Sequence, residues 1–76
     1  MMSFSDKITI LRKKSFLTQT EFAKELNVSF TTANRWENGK AMPNLGAMKR
    51  IKAFCEEASF PYEEIENEWI THSSKE

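Results

Sequence analysis

The chain is poor in the residues from which catalytic and metal centres are built. Its 76 residues include one cysteine, one histidine and two glycines. A zinc site needs three or four suitable ligands, and a phosphate-binding loop needs clustered glycines. Cys55 and His72 cannot supply such a site between them. We therefore expect no metal, no cofactor, no catalytic residues and no enzyme activity.

Long apolar stretches are also missing. No run approaches the roughly 20 apolar residues of a transmembrane helix. The start of the chain, MMSFSDK, lacks the apolar stretch of a secretion signal. The lone Cys55 cannot form an internal disulfide, which fits a reducing compartment. These absences predict a cytoplasmic protein with no membrane partner, and the short length predicts a single domain over residues 1–76.

The formal charge of zero conceals two oppositely charged parts. Residues 1–52 carry ten Lys and Arg against four acids, a net +6, whereas residues 53–76 carry one Lys against seven Glu, a net −6. A basic body favours a polyanion as partner. The same pattern would also arise if two charged surfaces only kept a small protein soluble, so charge alone leaves both readings open.

The sequence contains start signals for helices and no alternating pattern typical of a strand. Ser5 is the predicted cap of a first helix. Thr18, followed by Glu21 three residues later, forms a capping box for a second helix. Ser29 is the predicted cap of a third helix, and Asn44 begins a fourth. These signals predict an all-α protein.

The second and third predicted helices follow each other too closely to lie antiparallel. Asn27 ends the second helix, because asparagine tolerates the left-handed backbone conformation better than most residues. Ser29 then starts the third, which should end near Asn38 and Gly39. Two short helices joined by so tight a turn must cross steeply, which is the helix-turn-helix arrangement.

The last two predicted helices have apolar stripes at helical spacing. The predicted inner face of the fourth consists of Leu45, Met48, Ile51 and Cys55. The fifth begins after Ser59-Phe60-Pro61, spans 59–70 and is rich in glutamate, and its stripe consists of Tyr62, Ile65 and Trp69. We expect residues 71–76 to form a frayed tail.

The third predicted helix has an unusual polar face. Thr31, Asn34, Arg35 and Asn38 fall at i, i+3, i+4 and i+7, on the side opposite Ala33 and Trp36. Threonine and asparagine form helices poorly, so their presence on an exposed face needs a reason. Hydroxyl, amide and guanidinium groups match the hydrogen-bonding edges of bases in the DNA major groove. The alternative is a solvated helix that its tryptophan anchors.

Residues 7–55 resemble the lambda-repressor-like helix-turn-helix family, also called Cro/cI-type or XRE. The resemblance is carried by Gln19, Ala23, Val28, Trp36-Glu37-Asn38-Gly39 and Pro43. It implies a compact bundle of about five short helices, with a helix-turn-helix core over 5–56. It also implies a dimeric transcription regulator, either a repressor or an activator, whose helix at about 30–38 reads the major groove of double-stranded DNA.

The resemblance assigns roles to individual positions. The residues that should face bases are Ser29, Phe30, Thr31, Asn34 and Arg35. Those that should contact phosphate are Gln19, Asn38 and Lys40. Arg12 and Glu37 fall where related repressors form a partly buried ion pair between the first and third helices.

A different function remains open at this point. The chain could be an antitoxin or another protein-interaction module that binds a protein partner through its acidic C-terminal helix. An exposed stripe of Tyr62, Ile65 and Trp69 would be the sign of that function. The same apolar region could join two copies in a homodimer, or it could complete the core of the monomer.

Overall fold

A computed structural model describes residues 2–73 as a bundle of helices, with no strand in that range. The helices are α1 (Phe4–Lys14), α2 (Gln19–Glu25), α3 (Phe30–Glu37), α4 (Leu45–Ala58) and α5 (Tyr62–Ser73). The bundle measures 31 × 25 × 24 Å. The predicted all-α architecture of about five short helices is confirmed.

The first helix begins earlier than the sequence suggested, so the prediction of Ser5 as its cap is wrong. Ser3 is the cap: its hydroxyl accepts from the backbone N–H of Asp6, and the Asp6 carboxylate accepts from the N–H of Ser3 at 3.2 Å. This reciprocal box requires an acid three residues after the cap, which Ser5 lacks. The earlier start also places Phe4 on the buried face.

The next helix starts agree with their predictions. Thr18 caps α2 in a capping box with Glu21, and Ser29 caps α3 by accepting from the backbone N–H of Thr32. Asn27, in the turn between them, has the expected left-handed backbone with φ 56°. Gly39, which follows α3, has φ 71°. The turns that shape the helix-turn-helix are therefore local properties of these residues.

The core lies where α1, α2, α3, α4 and α5 meet. Its fully buried side chains with the largest volumes are Phe22, Ile8, Leu11, Leu26, Ile51, Ile65 and Cys55. The predicted inner face of α4 is correct for Met48, Ile51 and Cys55 but wrong for Leu45, which is 62% exposed. Ala47 faces inward instead. The buried stripe of α4 therefore runs through Ala47, Met48 and Ile51. Leu45 lies beside this stripe.

The last helix packs against the rest of the chain and completes the core. Ile65 is fully buried, Tyr62 and Trp69 are partly buried, and the indole N–H of Trp69 donates to the carbonyl of Pro43 at 2.8 Å. The stripe is therefore not the exposed surface that a protein-interaction module would show. The α5 helix extends through Ser73, past the predicted end at residue 70; of the predicted tail, 74–76 lie outside the described residues.

None of the described helices is long and apolar enough to cross a membrane.

Candidate nucleic-acid interface

The turn between α2 and α3 is short, and the two helices it joins are in contact. The N–H of Val28 donates to the carbonyl of Ala23 at 2.9 Å, which closes the end of α2, while Val28 itself packs against the core. On the next helix, Ala33 is fully buried and Trp36 is 3% exposed. These apolar contacts fix one face of α3 inward and leave the opposite face on the surface.

The outward face of α3 carries most of the predicted base-facing residues. Ser29, Thr31 and Arg35 are exposed, Phe30 is 50% exposed, and Asn34 is intermediate. The Ser29 hydroxyl caps the helix and donates to the Thr32 hydroxyl at 3.0 Å. Thr31 and Phe30 project freely beside it. The face therefore offers an alcohol, an aromatic ring and a guanidinium to a partner.

Glu37, the one carboxylate of α3, is turned into the protein. Its side chain is 4% exposed and accepts from Arg12 Nε at 2.8 Å and from Arg12 Nη2 at 3.0 Å. The hydroxyl of Thr9 and the amide of Gln19 also donate to Glu37, at 3.2 and 3.1 Å. The structure thus places the predicted pair of Arg12 and Glu37 in direct contact, at the meeting point of α1, α2 and α3.

The sequence analysis missed two members of this polar cluster, the hydroxyl of Thr9 and the backbone carbonyl of Leu17. Thr9 shares its hydroxyl hydrogen between Glu37 and the carbonyl of Ser5, and Arg12 Nη1 donates to the carbonyl of Leu17 at 2.9 Å. Thr9 could have been found, because it lies three residues before Arg12 and so on the same side of a helix. The role of the Leu17 carbonyl depends on the turn after α1 and has no sequence signal.

Three of the predicted site residues form one continuous hydrogen-bonded chain. Gln19 Oε1 accepts from Asn34 Nδ2 at 3.0 Å. Asn38 Nδ2 in turn lies 3.1 Å from Asn34 Oδ1 and 3.0 Å from the Asn34 carbonyl oxygen. The side chain of Asn34 is therefore held against the first residue of α2. Gln19, assigned to phosphate, and Asn34, assigned to bases, lie side by side.

The remaining predicted contacts lie at the end of α3. Arg35 Nη2 donates to the carbonyl of Lys40 at 3.3 Å, and both side chains are exposed. Arg35 and Arg50 both line a cleft of about 370 Å³ between α3 and α4. Arg50 Nε donates to the carbonyl of Leu26 at 2.8 Å, so this arginine also joins α4 to the end of α2.

The resulting surface has the electrostatic character that a polyanion requires. The outward face of α3 carries Arg35 and is followed by Lys40, while its single carboxylate is buried against a guanidinium. Within residues 2–73, no group of three or more His, Cys, Asp or Glu side chains is arranged to hold a metal ion. The arrangement can donate hydrogen bonds and attract negative charge.

Comparison with known proteins gives a consistent result. Residues 8–56 match a family model described as helix-turn-helix. The chain is similar to the HTH-type transcriptional activator BcrR of Enterococcus faecalis, with 42% identity over 53 residues, or 70% of this chain. It spans 26% of the length of that relative. No solved structure matches.

The matched segment coincides with the part of the fold just described. It begins inside α1, includes α2 and α3, and ends near the end of α4, so that α5 lies outside it. The cluster around Glu37 lies wholly within it. The chain belongs to the lambda-repressor-like (Cro/cI-type, XRE) helix-turn-helix family.

Proposed function

We propose that this chain is a cytoplasmic transcription regulator that binds double-stranded DNA sequence-specifically and places α3 in the major groove. The observation that carries the proposal is the outward face of α3. This face is polar, and Arg35 and Lys40 make it basic at its end. It is free of carboxylate because Glu37 is buried against Arg12. A carboxylate on that face would be repelled by phosphate, whereas hydroxyl and guanidinium groups complement base edges.

Base readout in this proposal rests on the three most exposed side chains of α3. Arg35 has the fork geometry that pairs with the O6 and N7 atoms of guanine. Thr31 can donate to or accept from a base edge, and the half-exposed ring of Phe30 can contact a thymine methyl group. In this proposal the exposed Lys40, beyond the end of α3, neutralises a phosphate.

The match to BcrR supports a role in transcription, because that relative is an HTH-type transcriptional activator. The match covers 26% of the length of that protein and does not extend to the rest of it. We therefore propose regulation of transcription without assigning activation or repression. The position of the bound site relative to a promoter decides between them.

The proposal is tested by selecting bound duplexes from a random DNA pool and then repeating the selection with Arg35→Ala. The variant should relax one base position and lose about 1–3 kcal/mol of discrimination there. Lys7→Ala is a suitable control, since Lys7 lies at the contact between α1 and α5. Equal weakening of all sequences by Arg35→Ala would make Arg35 a phosphate contact, and a pool without enrichment would reject sequence-specific binding.

Salt dependence tests the electrostatic part. Each phosphate neutralised should contribute about 0.9 to the slope of log K against log salt concentration. Lys40→Ala should reduce that slope by about one phosphate while leaving the selected sequence unchanged. A binding constant that does not vary between low and physiological salt would contradict phosphate binding.

We further propose that two copies bind together, because one recognition helix covers too few base pairs for useful specificity. Two copies related by a twofold axis would place their α3 helices about 34 Å apart, one turn of DNA. The selected sequence should then contain two inverted half-sites. Sedimentation with such a duplex should give two chains per duplex, and a saturating ratio of one would reject the dimer.

A further inference from the structure

The side-chain amides of Gln19, Asn34 and Asn38 form a hydrogen-bonded chain, and Glu37 determines its direction. An amide can be turned either way in a hydrogen-bonded chain, because its oxygen accepts and its nitrogen donates. A carboxylate paired with a guanidinium can only accept. Gln19 must therefore turn its Nε2 toward Glu37, at 3.1 Å, which leaves its Oε1 to accept from Asn34. The direction of each later amide follows from the one before it.

This direction determines which amide hydrogens and oxygens remain free to bind a partner. Each primary amide nitrogen has two hydrogens. Gln19 uses one on Glu37, and Asn34 uses one on Gln19, so each retains one free N–H. Asn38 Nδ2 has two acceptors on Asn34, its carbonyl and Oδ1, so the free atom of Asn38 is its Oδ1. The chain therefore offers one donor on Gln19 at the start of α2, one donor on Asn34 within α3, and an acceptor on Asn38 just after α3.

We propose that Glu37 is a positioning residue that directs one free N–H of Gln19 and one of Asn34 toward phosphate oxygens of a DNA strand. Asn34 then contacts the DNA backbone and does not read a base. Phosphate oxygens are acceptors only, which matches a pair of donors. Asn34 is also partly buried and bound to the first residue of α2, unlike the exposed Thr31 and Arg35. The phosphate role rests on the proposed DNA binding, whereas the orienting role of Glu37 does not.

The orienting role is tested on the free protein by NMR measurement of hydrogen exchange in the side-chain amides. In the wild type, Gln19 and Asn34 should each show one slowly and one rapidly exchanging hydrogen. Glu37→Gln introduces a group that can also donate, so the chain can run in either direction and the Gln19 nitrogen alternates between residue 37 and Asn34 as its partner. The difference in exchange rate between the two Gln19 hydrogens should then become smaller. Thr9→Val removes a different hydrogen bond to Glu37 and should leave the difference in exchange rate between the two Gln19 hydrogens unchanged.

The wild-type measurement is decisive even if Glu37→Gln does not fold. Two equally fast hydrogens on Gln19 in the wild type would overturn the orienting role. An unchanged difference in exchange rate between the two Gln19 hydrogens in a folded Glu37→Gln variant would also overturn this role.

The phosphate role is tested with Asn34→Ala. The variant should bind the selected duplex and an unrelated duplex more weakly by the same factor, roughly tenfold for the loss of a hydrogen bond to a charged group. Its selected sequence should equal that of the wild type, in contrast to Arg35→Ala. Relaxation at a base position would show that Asn34 reads a base and would overturn this role. Failure of the wild type to bind any duplex would reject the proposed function, while the exchange measurements would still decide the role of Glu37.

Discussion

The first helix is joined to two neighbours by charged side chains, and the two junctions differ in kind. At the α1–α3 junction, Arg12 and Glu37 lie 2.8 Å apart with side chains 15% and 4% exposed. At the α1–α5 junction, Lys7 lies 3.9 Å from Glu64 and 3.7 Å from Glu68, whose side chains are 59% and 34% exposed. The first junction is a buried network with several hydrogen bonds. The second consists of long contacts close to water.

The difference shows which forces hold each part of the bundle. Directional hydrogen bonds hold α3 in addition to the apolar contacts of its inner face, because Glu37 receives donors from three other residues. The last helix is held mainly by apolar burial, since Ile65 is fully buried while the charges of Glu64 and Glu68 remain near solvent. An orientation that must be accurate, such as that of the proposed DNA-reading helix, is better specified by hydrogen bonds than by non-directional packing.

The strongest test of this contrast is Arg12→Met. Removing the guanidinium leaves the Glu37 carboxylate buried without its counter-charge, which should lower the free energy of unfolding by about 3–5 kcal/mol. Urea unfolding measures the loss. A double-mutant cycle with Glu37→Gln should show clear coupling. Coupling near zero would mean that the two groups are independent and that the polar junction does not hold α3.

The apolar junction is tested by Ile65→Ala, which should cost about 3 kcal/mol through lost burial and the cavity that remains. Ile70→Ala provides the matched control on the same helix, since Ile70 is 50% exposed, and should change stability by less than about 0.5 kcal/mol. Both values follow from urea unfolding. Similar losses for the two variants would contradict the view that α5 is attached mainly through Ile65.

Alkaline pH should lower the free energy of unfolding through the thiol of Cys55, which is fully buried in the apolar core. Burial, and secondarily the charge of Glu56, raises the pKa of this thiol from its ordinary value of 9.0 to about 11. The unfolded thiol ionises first, so unfolding releases protons and stability falls as the pH rises from 9.0 to about 11. The loss from this group is about 2 kcal/mol.

Comparing the wild type with Cys55→Ala isolates this contribution from other groups that titrate in the same range. Tyr62 is one of them, because burial, Glu66 and Cys55 raise its pKa as well. The decline in stability over that range should be smaller in Cys55→Ala. Parallel pH profiles for the two proteins would refute the assignment.

The turn from α1 into α2 should tolerate a stabilising change. Phe16 has φ 60° and is 93% exposed, so its side chain gains almost no packing in a conformation that disfavours side chains. Phe16→Gly should raise the free energy of unfolding by about 0.5–1 kcal/mol, after allowance for the greater freedom of glycine when unfolded. Ser15→Gly, at φ −90°, should give no gain. Thermal unfolding that shows Phe16→Gly to be less stable would indicate contacts that the exposed ring does not show.

The smallest effect should come from Lys7→Met at the α1–α5 junction. Its ion pairs are long and have partly solvated acidic partners, so their loss should cost no more than about 0.5 kcal/mol. Added salt should reduce the difference further. A loss comparable to that of Arg12→Met would remove the distinction between the two junctions.

Much of the fold could be predicted because its signals are local. Thr18, Ser29 and Asn27 act on the backbone within a few residues of themselves, so the ends of α2 and α3 follow from the sequence. The start of α1 was misplaced because Ser3 and Ser5 are both acceptable caps. Only the partner three residues later, Asp6, distinguishes them.

The roles of individual residues in the candidate site were less predictable. Helical spacing put Asn34 on the same polar face as Arg35, but the structure turns Asn34 toward Gln19 and leaves Arg35 near Lys40. These partners lie on separate elements, and their positions depend on how α2 crosses α3. Spacing along one helix does not contain that information.

The sequence by itself determined the helical class, the tight turn between α2 and α3 and the set of side chains on α3, because capping, backbone preference and periodicity act over a few residues. Only the tertiary structure decided that Glu37 points inward, that three amides form one directed chain and that α5 buries Ile65 while Leu45 stays exposed. Each of these depends on groups far apart in the chain, whose contacts form only when all the helices pack together.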